Sequence, residues 1–292
     1  MPLLRPFQLL NPTTVPEASA ELARFGGDAL VYAGGAQLLL LSRLGLVRPD
    51  YLVNIKGIPS LNLIAEEGGV VRIGSTLTHH QVASHPIVQR MLPMLASAES
   101  QVGNVRIRNQ GTLGGNLCHA DPQSDPPPSL LVYETTVRLT DVDGGERQVP
   151  LAQFIDGAYE TVLDQGELLT EVSIPPLPPG WGQAYRRIEK LYRPSVSVAV
   201  AALLEAGRVA GVRIAVGCIG PVPRRLTQLE EQIMGVGLEE ADRAIEQASA
   251  IIAAHLDPED DMLGSAAYKV HVAKTLVRRA FQEAARGGSQ GR

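Results

Sequence analysis

The sequence predicts an α+β chain built in two parts, on three observations. Early in the chain, short apolar runs, glycine pairs and helical periodicity alternate. At Pro175-Pro176-Leu177-Pro178-Pro179-Gly180, four prolines fall within five positions, a stiff connector that neither a helix nor a central strand absorbs. Beyond it, strand-like segments are followed by helical ones, the order of a sheet with helices packed on it. A first domain is therefore expected over 1–176, with subdomains of about 1–56 and 57–176, a second over 181–286, and a frayed tail over 287–292.

The elements follow in order. Thr14-Val15-Pro16-Glu17 predicts a capping box, with Thr14 as N-cap and Glu17 three residues on. Ala18, Leu22 and Phe25 then share one helical face until Gly26-Gly27 ends it. A strand over 29–33 runs into Gly34-Gly35, a helix over 37–44 follows, and Gly45 closes it. Strands are expected over 52–55 and 70–74. Thr78 caps a helix through Val82, and a longer helix is expected over about 86–100. The stretch 103–128 is dense in Gly, Asn, Asp and Pro and shows no periodicity. A loop of that length is either functional or disordered, and the apolar spacers Val105, Ile107, Leu113 and Leu117 favour the first. Strands over 137–140 and 146–149 flank Asp141-Val142-Asp143-Gly144-Gly145, a hairpin signal, and a strand over 168–174 ends the first part. After the prolines, segments 183–189, 196–205 and 208–217 predict a three-stranded antiparallel sheet, with a tight turn at Ala206-Gly207. Helices over 227–234, 239–255 and 266–285 complete it as a three-helix bundle.

Composition narrows the function classes. Of 292 residues, 45% are hydrophobic and 20% charged, the balance of a folded globular chain. Twenty-six basic against thirty-one acidic residues leave a formal charge of −5 with no basic cluster, and only four Phe and one Trp are present. Both facts argue against nucleic acid as a partner. Apolar runs such as 38–41 are too short to span a bilayer, and the first residues lack a basic stretch followed by an apolar one. Neither a membrane span nor a signal peptide is expected, which makes the cytoplasm the default location. Two cysteines, Cys118 and Cys218, cannot supply the four thiolates of an ordinary iron–sulfur cluster, and whether they pair is not decided by sequence. His79, His80, His85 and His119 lack the paired soft ligands of a zinc site, so no metal is expected on this chain.

Two glycine-rich turns carry the chemistry. The first, Val31-Tyr32-Ala33-Gly34-Gly35-Ala36-Gln37, lies between a strand and a helix, where backbone N–H groups approach an anion closely. The second is Arg108-Asn109-Gln110-Gly111-Thr112-Leu113-Gly114-Gly115-Asn116-Leu117, followed by Cys118-His119-Ala120-Asp121-Pro122-Gln123-Ser124-Asp125. Here Thr112 offers a hydroxyl, Asn116 an amide, and three glycines expose backbone. A single Gly-Gly turn is ordinary turn chemistry; two glycine-rich anion nests in one domain suit a ligand with linked phosphates.

Ala33-Gly34-Gly35 with Gln37-Leu38-Leu39, the run from Arg108 to Asn116, and Asp125 resemble the FAD-binding medium subunits of molybdenum hydroxylases, the family of carbon monoxide dehydrogenase. The flavin region of xanthine dehydrogenase is similar. Arg48-Pro49-Asp50-Tyr51-Leu52-Val53-Asn54-Ile55, Ile73-Gly74-Ser75-Thr76-Leu77-Thr78-His79 and Gly217-Cys218-Ile219-Gly220-Pro221-Val222-Pro223 extend the likeness over nearly the whole chain.

The resemblance implies a two-part FAD-binding domain of the vanillyl-alcohol-oxidase type, followed by a sheet-and-helices domain. It implies that the turn of Tyr32, Ala33, Gly34, Gly35, Ala36, Gln37 and Leu38 wraps a diphosphate through main-chain amides. Thr112, Gly114, Gly115 and Asn116 would form a second clamp, and Asp125 would hydrogen-bond polar groups of the cofactor. Leu169 would pack on the isoalloxazine and Val102 and Cys118 would line the pocket. Arg186 would be the basic residue near the flavin, with Arg187 and Lys190 equally available. Gln37 and Cys118 depart from the family pattern; a redox Cys118 would need activation, for which only His119 is near in sequence. No catalytic residue is expected on this chain. In such complexes substrate is oxidised at a molybdenum cofactor in a large subunit, and electrons pass through [2Fe–2S] clusters of a small subunit to FAD and an external acceptor. The expected assembly is a dimer of heterotrimers. The alternatives are a stand-alone FAD-dependent reductase on the same scaffold, such as an enolpyruvyl-sugar reductase, and a flavin-less scaffold subunit.

Overall fold

The computed structural model describes residues 5–190 and 193–289. The chain opens on a small parallel sheet in which Tyr51–Asn54 lies between Gln8–Leu10 and Ala29–Tyr32. The helix Val15–Phe25 begins where its N-cap was expected: Thr14 Oγ1 accepts the Glu17 N–H. The reciprocal bond is displaced by one residue, because the Glu17 carboxylate takes the N–H of Thr13 at 2.8 Å instead of that of Thr14. Ala18 and Leu22 turn into a core with Ala29, Val53 and Ile55, and Phe25 stacks on Tyr51 with ring centroids 3.8 Å apart.

A five-stranded antiparallel sheet follows, in the order Ile64–Glu67, Val70–Gly74, Leu168–Ile174, Thr136–Thr140, Glu146–Pro150. Its helices correct two expectations. The helix expected over 86–100 is two, Pro86–Met91 and Pro93–Ser100. Pro93 has no N–H and forces Leu92 out of helical geometry, with φ −130° and ψ 52°. The stretch 103–128 is not an irregular loop: it holds the helices Val105–Gln110 and Leu113–His119, and Pro126–Val132 begins within it. Asn104 and Thr112 cap the first two through their side chains. Six or seven residues make fewer than two turns, too short for periodicity to show in sequence.

Beyond the prolines, Gly182–Lys190, Arg193–Glu205 and Arg208–Gly217 pair antiparallel, and a short fourth strand, Arg224–Arg225, extends the expected three. The helical part holds four helices among the described residues: Thr227–Ile233, Leu238–Glu246, Ser249–Leu256 and Ala266–Ser289. The helix expected over 239–255 breaks at Gln247 and Ala248. Residues 287–289 continue the last helix instead of fraying, and the rest of the expected tail, 290–292, lies outside the described residues.

The central strand of this sheet explains how the parts are joined. Val196, Val198, Val200 and Ala202 face Ala273, Val277 and Phe281 of the last helix. The alternate residues Ala199 and Ala201, with Tyr185 and Ala215, enter the cluster that holds Val71, Leu95, Leu117 and Tyr133 of the first part. Period-two alternation on a sheet covered on both faces makes the whole run apolar. The largest core cluster therefore crosses the proline connector.

The turn between the third and fourth strands of this sheet is the tightest point of the second part. A Cβ on Gly220 would lie 1.6 Å from the Leu256 carbonyl oxygen. Gly220→Ala is expected to cost at least about 2 kcal/mol of stability through overpacking. Gly57→Ala, where a Cβ meets nothing within 4 Å, should change it by less than about 0.5 kcal/mol. Urea midpoints of the two variants check the contrast.

Candidate functional site

The strand Ala29–Tyr32 delivers the first glycine turn to the six-residue helix Leu38–Arg43. Gly35 sits at φ +74°, and a Cβ there would lie 2.3 Å from the Tyr32 ring. At Gly34 a Cβ would lie 2.0 Å from the carbonyl oxygen of Gln110 and 3.0 Å from the α-carbon of Gly111. The two glycine-rich segments, distant in sequence, cross in backbone contact at this point. Only glycine permits it.

The second segment is stitched to the turn after Val70–Gly74. The N–H of Gly114 donates to the Ser75 carbonyl at 3.1 Å, that of Leu113 to Leu77 at 2.9 Å, and that of His79 to Gly111 at 3.0 Å. Thr112 Oγ1 caps the helix Leu113–His119 by accepting the Gly115 N–H, which leaves its own hydrogen to donate elsewhere. A Cβ on Gly114 would strike Ser75 at 2.5–2.8 Å, and one on Gly115 would meet Thr112 Oγ1 at 2.7 Å. Asn116 accepts the Ser124 hydroxyl at 2.6 Å through Oδ1, leaving its NH2 to donate.

These segments wall a cavity of about 750 Å³, within the range of about 300–1,000 Å³ usual for small-molecule and cofactor sites. Of the residues singled out from sequence, Ala33, Gly34, Gly35, Ala36, Gln37 and Leu38 line it from one side. Thr112, Gly114, Gly115 and Asn116 line it from the other, with Val102, Cys118, Asp125 and Leu169 also on its wall.

Two residues are placed elsewhere. The Tyr32 ring supports Gly35 from behind and stacks under the Lys56 ammonium at 3.9 Å. Arg186 turns to the opposite face of its strand and pairs with Glu283 of the last helix at 2.6 Å. Neighbouring strand residues face opposite ways, so Arg187 is the one turned inward, at 2.8 Å from Asp125. The Lys190 side chain lies outside the described residues. Arg193 lies on the cavity wall, paired with Asp121 at 2.5 Å beside Tyr159. Sequence reasoning singled out none of the three; nothing in their spacing marks them, because Tyr159 meets Asp121 across a long stretch of chain and Arg193 joins them only when the second sheet folds back.

Asp125 reaches the wall with its oxygens already engaged. It accepts from Tyr185 at 2.5 Å and from Arg187 at 2.8 Å, and is 3% exposed. Burial pushes its carboxyl up to about 6, against the opposing pull of Arg187. Burial likewise pushes the Cys118 thiol up to about 12, away from the reactive thiolate. His119, lowered mainly by burial, lies tilted against Tyr159 at 5.2 Å. Cys118 and Cys218 are both free thiols, and no cluster of metal-ligating side chains occurs among the described residues. No described helix is long and apolar enough to cross a membrane.

The donor set suits an elongated anionic ligand: two glycine cradles, donors on Thr112 and Asn116, and an apolar wall at Leu169. The Ser75 hydroxyl is buried on this wall with no hydrogen-bond partner, an atom that a bound ligand would satisfy.

Comparison with known proteins points the same way. The family described as FAD binding domain in molybdopterin dehydrogenase matches residues 5–177, and the CO dehydrogenase flavoprotein C-terminal domain matches 183–284. The carbon monoxide dehydrogenase medium chain of Hydrogenophaga pseudoflava is 32% identical over 280 residues, covering 95% of this chain and 96% of that one. The nicotine 6-hydroxylase medium subunit of Paenarthrobacter nicotinovorans is 33% identical, covering 94% and 95%. The solved carbon monoxide dehydrogenase of Hydrogenophaga pseudoflava superposes with a TM-score of 0.92 at 33% identity, over 97% of this chain and 98% of that one. The quinoline 2-oxidoreductase of Pseudomonas putida 86 gives 0.90 at 28%, over 98% and 99%.

The raised Asp125 carboxyl gives a pH signature. The folded state holds this proton more tightly than the unfolded chain does. The group's contribution to stability is therefore full below about pH 4 and is lost as pH rises to about 6. Asp125→Asn cannot titrate and keeps an acceptor for Tyr185. The urea midpoint of the native protein should fall relative to that of the variant between these two pH values, then run parallel to it; a constant difference across the interval would contradict the assignment.

Proposed function

This chain belongs to the FAD-binding medium-chain family of molybdenum hydroxylases, and from that premise we propose that it holds FAD between [2Fe–2S] clusters on a partner subunit and an external electron acceptor. The observation that carries the reading is the crossing of Gly34 over Gln110 and Gly111 on the cavity wall. That crossing sets two backbone cradles side by side, the arrangement a diphosphate needs. The flavin ring supplies the redox chemistry when bound, accepting and releasing electrons singly or in pairs.

The chain's own residues bind and orient. Main-chain amides over 33–38 would hold one end of the diphosphate; Thr112, Gly114, Gly115 and Asn116 would hold the other. Leu169 would pack on the isoalloxazine from its buried place on the central strand of the five-stranded sheet. Asp125, on the wall, would be held by Tyr185 and Arg187 from behind it, clamping the second sheet against the loop that follows Asn116. In this division 1–176 is the FAD-binding domain, and 181–286 closes on it. A catalytic acid or base is not required on this chain.

The substrate is chosen elsewhere in the complex. Chains similar to this one carry the names of enzymes for carbon monoxide, glyceraldehyde, nicotine and caffeine, chemically unrelated molecules. The partners are an iron–sulfur small subunit and a molybdopterin-binding large subunit, assembled as a dimer of heterotrimers in the cytoplasm.

Purified alone or with its iron–sulfur partner, the native chain is expected to release FAD on denaturation, identified by absorbance and chromatography. Replacing Gly114 and Gly115 together with leucine should abolish it. A native protein that stays colourless and takes up no added FAD, even with the partner present, would overturn the reading.

A further inference from the structure

A buried pair that the roles above leave unused reaches the cavity wall through His79. His79 and Glu99 have side chains 3% and 0% exposed, with Nδ1 and Oε2 2.5 Å apart. His79 opens the helix His79–Ser84, capped by Thr78, and Glu99 comes from Pro93–Ser100. The imidazole lies directly behind the loop crossing: a Cβ on Gly111 would be 3.2 Å from its Nε2, and the α-carbon of Gly111 is the atom that Gly34 approaches.

Two polar atoms here lack a partner: Ser75 Oγ and Glu99 Oε1 are buried without a hydrogen bond. Ser75 and His79 both line the cavity, and the hydrogen bond of the His79 ring uses Nδ1. Buried polar atoms are usually satisfied, and an exception such as Ser75 Oγ on a cavity wall marks a place where a ligand completes the set. The protonation states follow from donor chemistry. A carboxylate only accepts, so Nδ1 carries a proton toward Glu99; diphosphate oxygens only accept, so a ligand of that class requires a proton on Nε2 as well.

We propose that His79, oriented by Glu99, is a diphosphate-binding residue that donates its Nε2–H to the FAD diphosphate where the two glycine loops cross. The assignment rests on the flavin reading above. It adds a ring N–H donor to cradles otherwise made of amides and hydroxyls. The charged groups around it are Glu99 in contact and Asp125, which feels the Glu99 charge and is paired with Arg187. On the neighbouring helix Val105–Gln110, the Arg108 guanidinium is turned to the Val102 and Gly103 carbonyls.

The test is FAD affinity of the full chain, freed of flavin, measured by fluorescence titration. His79→Gln should weaken FAD binding by about tenfold or more, the loss of one hydrogen bond to a charged group. Glu99→Gln, which removes the carboxylate that orients the ring, should weaken it too. ADP, which carries the diphosphate without the flavin ring, should lose affinity in step with FAD; riboflavin, which lacks the diphosphate, should not. A native protein that binds FAD while His79→Gln binds it equally well would overturn this assignment and leave the flavin reading intact. A native protein that binds neither FAD nor ADP would overturn both. Should the variants fail to fold, ring-15N-labelled histidine in the FAD-loaded native protein decides: both His79 ring nitrogens protonated supports the proposal, and an unprotonated Nε2 refutes it.

Discussion

The contact between Gly34 and the Gln110 carbonyl is the constraint on which the site depends. A Cβ there would sit 2.0 Å from the oxygen, well inside any van der Waals contact, so the two loops meet only because one side chain is missing. Around that point the structure spends ordinary hydrogen bonds to fix both strands of the crossing. The segment 75–79 accepts from Gly114 and Leu113 and donates to Gly111, which pins the second loop to the five-stranded sheet. The first loop is fixed from below by the Tyr32 ring under Gly35. Each cradle is thus held by an element that belongs to a different sheet, and the space between them is set by the packing of those sheets.

The second sheet contributes a lid of polar contacts over an apolar joint. Tyr185 and Arg187 meet Asp125, and Arg193 meets Asp121, both on the loop that runs on from the second glycine segment. Beneath them, Ala199, Ala201 and Ala215 share a core with Leu95, Leu117 and Tyr133. The apolar layer supplies most of the driving force for docking, at roughly 25 cal/mol per Å² buried. The ion pairs fix register more than they add stability.

What the sequence made legible was backbone chemistry. Gly34, Gly35, Gly114 and Gly115 were readable because only glycine fits where they stand, and Thr14 and Thr78 because a cap needs a hydroxyl at one position. Side-chain direction was not readable. Arg186 and Arg187 differ only in parity along a strand, and parity is fixed by which face the rest of the protein covers. The helices within 103–128 were hidden because six residues cannot display a period, and their caps, Asn104 and Thr112, lie among residues that also favour turns. Pro93 did announce its break, but the apolar spacing on either side of it imitates one continuous helix. The strands Gln8–Leu10 and Ile64–Glu67 are short and half-exposed, with little apolar signal. His79 and Glu99 became a pair only through the packing of two helices.

The strand Arg193–Glu205, apolar on both faces, has a consequence for how such a chain can be inherited. The proline connector looks like a natural point for gene fusion or exchange, since only a few residues cross it. Yet a first part taken without its second would expose the surface that Ala199, Ala201 and Ala215 cover, and a foreign second part would have to reproduce that surface side chain by side chain. Substitutions on either side of the connector are therefore bound to each other. The two halves share one core, and the visible seam between them is not a place where they come apart cleanly.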